Sequence, residues 1–189
     1  MKRFLFILLV FPSLAFGQSD KIGIYYQYED SVIKINPIKS SGYKTNTLST
    51  ALTMGIASSK MVIKFRGESS INKLSDPSFI FFFQPAEIIK DITNYFNFIT
   101  SHIPNNFILV KLDKKGKSRE LNWGKINVYS GTDIGIPEDI FIPFEAYNID
   151  EFSYVVKPSI QLEEGEYAFV FDGANGSGAF MPIFDFSVN

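Results

Sequence analysis

The sequence predicts an all-β chain: a single antiparallel β-sandwich, Ig-like or jelly-roll-like, with at most one short helix or aromatic loop near residues 86–100. Three observations lead there. Short runs rich in β-branched and aromatic residues follow one another, punctuated by Gly, Pro and Asn. One run, "FIFFF" at 79–83, is apolar at five consecutive positions and is closed by Pro77 and Pro85, which suits a strand covered on both faces. Only one segment shows apolar residues at helical spacing.

The first seventeen residues read as a leader. "MKR" is basic, "FLFILLVFPSLAF" is apolar but shorter than the roughly 20 residues a spanning helix needs, and "AFG" offers small residues for cleavage after Gly17. The expected division is therefore a signal peptide at 1–17 and one sandwich domain at 18–189, with no transmembrane anchor after cleavage. Lys2 and Arg3 leave with the leader, so 16 basic residues face 20 acidic ones in the remaining chain, a net charge of −4. That balance disfavours nucleic acid as a partner. The sequence has no cysteine. Thiol catalysis, haem attachment, iron–sulfur clusters and thiolate metal sites are excluded together. An exported domain of this length can fold without disulfides.

The strands follow in order. "KIGIYYQYED" (21–30) and "SVIKINP" (31–37) are two short β-rich runs, and "SSGYKTNTLST" (40–50) is a loop or weak edge strand. In "MGIASSKMVIKFRGESS" (54–70), Met61, Ile63 and Phe65 alternate with Val62, Lys64 and Arg66, as in a half-buried strand. In "FIFFF", Phe79, Phe81 and Phe83 face the core and Ile80 and Phe82 face away. The segment 86–100, "AEIIKDITNYFNFIT", places Ile88, Ile89, Ile92, Tyr95, Phe96 and Ile99 on one helical face and is the simplest cover for that second side. "NFILVKLD" turns through "KKGK", a solvated hairpin tip, into "SRELNWGKINVYSG". There the buried parity set by Leu121 and Trp123 shifts toward Ile126 and Val128 beside Gly124, the mark of a β-bulge. "DIFIPFEAYNI" and "EFSYVVKP" pair next. In "SIQLEEGEYAFVFDG" a turn with Gly165 at positive φ leads into Tyr167, Phe169 and Phe171 on one face. "AFMPIFDFSVN" closes the chain.

Chemistry-bearing residues are few. The one histidine, His102, lies in "SHIPNN", where a polar surface role is commoner than catalysis, and no G-x-S-x-G elbow accompanies it. The usual zinc sets cannot be built, and no phosphate-binding glycine loop occurs. Asp113, Glu138, Asp139, Glu163 and Glu164 sit where solvated turns are expected, although a carboxylate pair for glycoside hydrolysis needs no further motif. "SGTDIGIPED" (130–139) and "DGANGSG" (172–178) offer oxygen ligands without EF-hand spacing. No catalytic, cofactor or metal residue is assigned. Trp123, Tyr129, Tyr147 and Tyr154 could stack on a sugar ring, though strand aromatics more often pack a core. The candidate contact residues are Ile80, Phe82, Trp123 and Tyr129.

The second half resembles a group of uncharacterised secreted bacterial β-sandwich proteins, through "NNFILVKLDKKGKSREL" (105–121), "IPFEAYNIDEFSYVVKP" (142–158) and "LEEGEYAFVF" closing through "FDFSV". Upstream, "FRGESSINKLSDPSFIFFF" (65–83) is similar to that group's approach to an aromatic strand. The resemblance implies a secreted sandwich and supplies no site residues. The expected function is a non-enzymatic binding or interaction protein of the bacterial envelope, in periplasm or medium, with an unidentified protein or glycan partner. The alternative is a carbohydrate-binding or carbohydrate-active protein using exposed aromatics or a carboxylate pair.

Overall fold

The computed structural model describes residues 22–29, 31–45, 58–83, 98, 102–127, 129, 131–172 and 182–189. The expected leader at 1–17, the segment 86–100 apart from Phe98, Val128 and most of "DGANGSG" lie outside them. Fourteen strands run in chain order: β1 Gly23–Tyr28, β2 Ser31–Ile35, β3 Gly42–Thr45, β4 Ser59–Arg66, β5 Lys73–Leu74, β6 Phe79–Phe82, β7 Phe107–Lys115, β8 Ser118–Asn127, β9 Gly131–Ile134, β10 Phe141–Ile142, β11 Phe144–Asp150, β12 Ser153–Pro158, β13 Gly165–Phe171 and β14 Phe184–Val188. They form a five-stranded sheet, β11-β12-β6-β1-β2, and a nine-stranded sheet, β3-β4-β8-β7-β13-β14-β5, with β9 beside β8 and β10 beside β7. All pairings between these strands are antiparallel except β14 with β5. This is the predicted β-sandwich.

Phenylalanine joins the sheets. Phe79, Phe81 and Phe83 turn inward from the β6 run, each at most 1% exposed. The Phe79 ring meets Phe169 edge-on at 4.9 Å, and Phe81 meets Phe169 at 5.0 Å and Phe107 at 5.4 Å. Edge-to-face rings at such spacings add to the stabilisation from area alone. Phe98 lies 5.3 Å from Phe83 and 5.0 Å from Phe107, ring to ring, so it fills the inner side of the sandwich. At this one described position of 86–100 the side chain packs inside, and not over the outward face of β6. An aromatic ring gains more in a closed phenylalanine cluster than on a sheet's outer face.

β13 and β14 are buried on both faces. Tyr167, Phe169 and Phe171 look inward as predicted, while Glu166, Ala168 and Val170 line a second buried layer shared with Ile108, Val110 and Leu112 of β7. The expected bulge is present: Met61 pairs with Gly124 and Val62 with Asn122, so Trp123 is the extra residue of β8. Gly124 is required there. Its φ is +140°, and a Cβ would lie 2.2 Å from the Asp133 carbonyl oxygen. Gly165 differs from expectation. It already belongs to β13 without positive φ, its Cβ position facing Lys111 and Tyr167. The strand begins earlier than the turn chemistry suggests because Gly165 pairs with Val188.

Candidate functional site

Ile80 and Phe82 share the outward face of the five-stranded sheet. Direct pairings place Tyr147, Val155, Ile80, Tyr25 and Lys34 in one row across its strands, from β11 to β2. Ile80 is only 8% exposed, whereas Phe82, Tyr25 and Val155 are half-buried. Phe82 meets Tyr25 edge-on at 5.3 Å, and the Lys34 ammonium lies 5.7 Å from the Tyr25 ring centre. At the edge, Tyr147 is 56% exposed. Its hydroxyl donates to Glu145, which holds the phenol above its ordinary value of 10.

The other candidate contact residues do not join this row. Trp123 is buried in the nine-stranded sheet, at the bulge of β8. Tyr129 stands exposed in the turn between β8 and β9. Tyr154 packs edge-on against Phe83 at 5.8 Å. Four aromatics that could have stacked on a sugar are thus spread over two sheets, with two of them spent on packing.

A buried ionic cluster is the feature that sequence reasoning missed. Lys114 pairs with Arg119, Leu112 with Glu166, and Glu166 with Ser187, so these residues and Asp185 share one face of the nine-stranded sheet. Arg119, Glu166 and Asp185 are each 2–3% exposed. Arg119 donates to the Asp185 carboxylate, lies 3.5 Å from Glu166, and donates to the carbonyls of Gly67 (3.2 Å) and Arg66 (3.1 Å). Glu166 accepts from the Ser70 amide at 2.8 Å and the Ser187 hydroxyl at 2.9 Å, with Lys114 4.0 Å away. Ser70 and Asn72 donate to the Asp185 carbonyl. The cluster thereby fastens loop 67–72 across the end of the sheet. Every polar group in it has a partner inside the protein, as a buried charged network requires. Its role is architectural.

The remaining candidates lie at the surface. Asp113, Glu138, Asp139, Glu163, Glu164 and His102 are all exposed. In the 131–139 segment, Asp133 pairs with Lys125 at 3.7 Å, and a cleft of about 560 Å³ runs past Asn122, Lys125, Asp133 and Glu138. Among the described residues no three His, Cys, Asp or Glu side chains are grouped to hold a metal ion. No helix among them is long and apolar enough to cross a membrane. No protein-family model, curated protein or solved structure matches this chain.

Proposed function

We propose that this chain is an exported, non-enzymatic binding protein of the bacterial cell envelope, and that a protein partner docks on the outward face of its five-stranded sheet. The observation supporting this is the row Tyr147–Val155–Ile80–Tyr25, with Phe82 beside it. An outward sheet face is ordinarily polar, and apolar surface presented there favours association. A rigid double-layered scaffold suits recognition, since little conformational freedom is lost on docking. The aromatics give a glycan no common platform: Trp123 and Tyr154 are packed, and the exposed Tyr129 and Tyr147 belong to different sheets.

The test is a photocrosslinking residue at Tyr147 in a tagged copy expressed in its own host. One reproducible protein adduct is expected, lost when Val155 is changed to Glu. No adduct, with the molecule free in periplasm or medium, would overturn the reading. Recovery of the molecule in the cytoplasm would overturn its export.

A further inference from the structure

The sheet formed by β3, β4, β8 and the end of β7 carries a cationic face, which continues the face of the larger sheet that bears Leu109 and Phe169 and is exposed at these strands. Paired residues in antiparallel strands share a face, as do residues two apart. Lys44 pairs with Val62, Val62 with Asn122, Lys64 with Glu120, Arg66 with Ser118, and Lys115 with Ser118. Lys60 belongs to the same face, and its partner across the ladder is Lys125. Lys64 is neutralised by Glu120 at 3.5 Å and Lys125 by Asp133 at 3.7 Å. Lys44, Lys60, Arg66 and Lys115 are exposed and make no ion pair among the described residues. Between them lies a cleft of about 300 Å³ lined by Lys44, Lys60, Val62, Asp113, Lys115 and Glu120.

We infer that this face binds an acidic polysaccharide, a sugar chain bearing carboxylate or sulfate groups. The whole sequence carries a net charge of −2, yet four cations without an ion pair among the described residues are gathered on one sheet face, where Asp113 is the one described acid likewise without a pair. Lys60 stands directly opposite Lys125, whose charge Asp133 already meets, so Lys60 is the cation of that pair left for a bound anion. From the strand spacing of about 4.8 Å and the two-residue repeat of about 6.8 Å, the cations extend roughly 20 Å along the strands, from Lys60 to Arg66, and roughly 14 Å across them, a span suited to a polymer.

The neighbours of the cations select the polymer. Asp113, Glu120 and Asn122 are acceptors set among the lysines, and they can take hydrogen bonds from sugar hydroxyls while the lysines take the acidic groups. A phosphodiester backbone offers those acceptors no comparable donors, and no aromatic ring lines the cleft for a base to stack on. Val62 is the sole apolar residue of the lining, so no side chain is available to enter a bilayer. This inference depends neither on export nor on the five-stranded face.

The probes are polygalacturonate and dextran sulfate, with neutral dextran as control, titrated calorimetrically against the purified protein. Binding to at least one acidic polymer is expected, weakening as salt rises, with none to dextran. The Lys44→Ala/Lys60→Ala/Lys115→Ala variant should lose at least about tenfold in affinity, or roughly 1.4 kcal/mol, with an unchanged melting transition. Lys157→Ala, on the other sheet, should bind normally. No binding at low salt, or full binding by the triple variant, would overturn the inference. So would equal affinity for duplex DNA or phosphatidylglycerol vesicles, because the face would then be a generic cation patch.

Discussion

Replacing Arg119 by Met tests the ionic cluster. Methionine keeps most of the side-chain volume and removes the charge and all donors. Asp185 then loses its carboxylate's one hydrogen-bonding cation, while Glu166 keeps the Ser70 amide, the Ser187 hydroxyl and Lys114. The carbonyls of Gly67 and Arg66 also lose their Arg119 donor. Breaking a buried pair by removing one partner costs about 3–5 kcal/mol. Asp185 is 2% exposed, so water cannot replace the guanidinium without disturbing loop 67–72. Urea unfolding, followed by the fluorescence of Trp123, reads the change; this is the single tryptophan and it is buried. The midpoint should fall while the denaturant slope stays constant. Adding Asp185→Leu should restore most of the loss, because removing both partners spares the stranded charge. A loss below about 1 kcal/mol for Arg119→Met, or additive losses in the double variant, would refute the argument.

Other expectations follow from single contacts. Phe81→Ala should cost about 3–5 kcal/mol by opening a cavity between the sheets, and Phe81→Asp should prevent folding, because the charge has no partner there; a soluble, cooperatively melting Phe81→Asp protein would contradict the packing. Gly124→Ala should destabilise by more than about 1 kcal/mol through positive φ and the clash with Asp133. Gly165→Ala should cost less, since its closest contact would be the flexible Lys111 side chain at 3.1 Å; the reverse order of melting temperatures would count against the bulge. Ser153 is buried and its hydroxyl has no hydrogen-bond partner among the described residues, so Ser153→Ala should be neutral or stabilising in a thermal melt. Burial, and secondarily Tyr28, raises the Tyr26 phenol above its usual 10. The folded state therefore favours the protonated form, and stability should decline as pH rises past about 10. In Tyr26→Phe that part of the alkaline decline should disappear.

The strands of the core were legible because burial leaves a local mark. "FIFFF" announced a strand covered on both faces, and the parity slip beside Gly124 announced the bulge before any pairing was known. Gly165 misled because turn chemistry is read over four residues, while its place in β13 is decided by pairing with Val188, 23 positions on. The ionic cluster shows the same limit more sharply. Arg119 ends the lysine-rich run 111–119, which reads as a solvated tip, and its partners lie 47 and 66 residues further along at Glu166 and Asp185. One local signal existed: if Tyr167, Phe169 and Phe171 share a face, Glu166 shares the other with Ala168 and Val170. A carboxylate on a second apolar face calls for a buried cation.

That second buried face also limits where partners can bind. β13 and β14, between β7 and β5 of the larger sheet, present neither face to solvent, so they are closed to ligands of any kind. Accessible sheet surface among the described residues includes the outward face of the five-stranded sheet and the lysine-bearing face of β3, β4 and β8, and these differ in chemistry. The first offers tyrosine, phenylalanine and valine, and a charge placed there should hinder a docking protein without changing response to salt. The second offers unpaired lysines, and its binding should respond to salt above all. Val155→Glu and the triple lysine variant therefore separate the two surfaces. If Val155→Glu abolished acidic-polymer binding while the lysine variant retained it, the assignment of chemistry to faces would be inverted, and neither reading would survive.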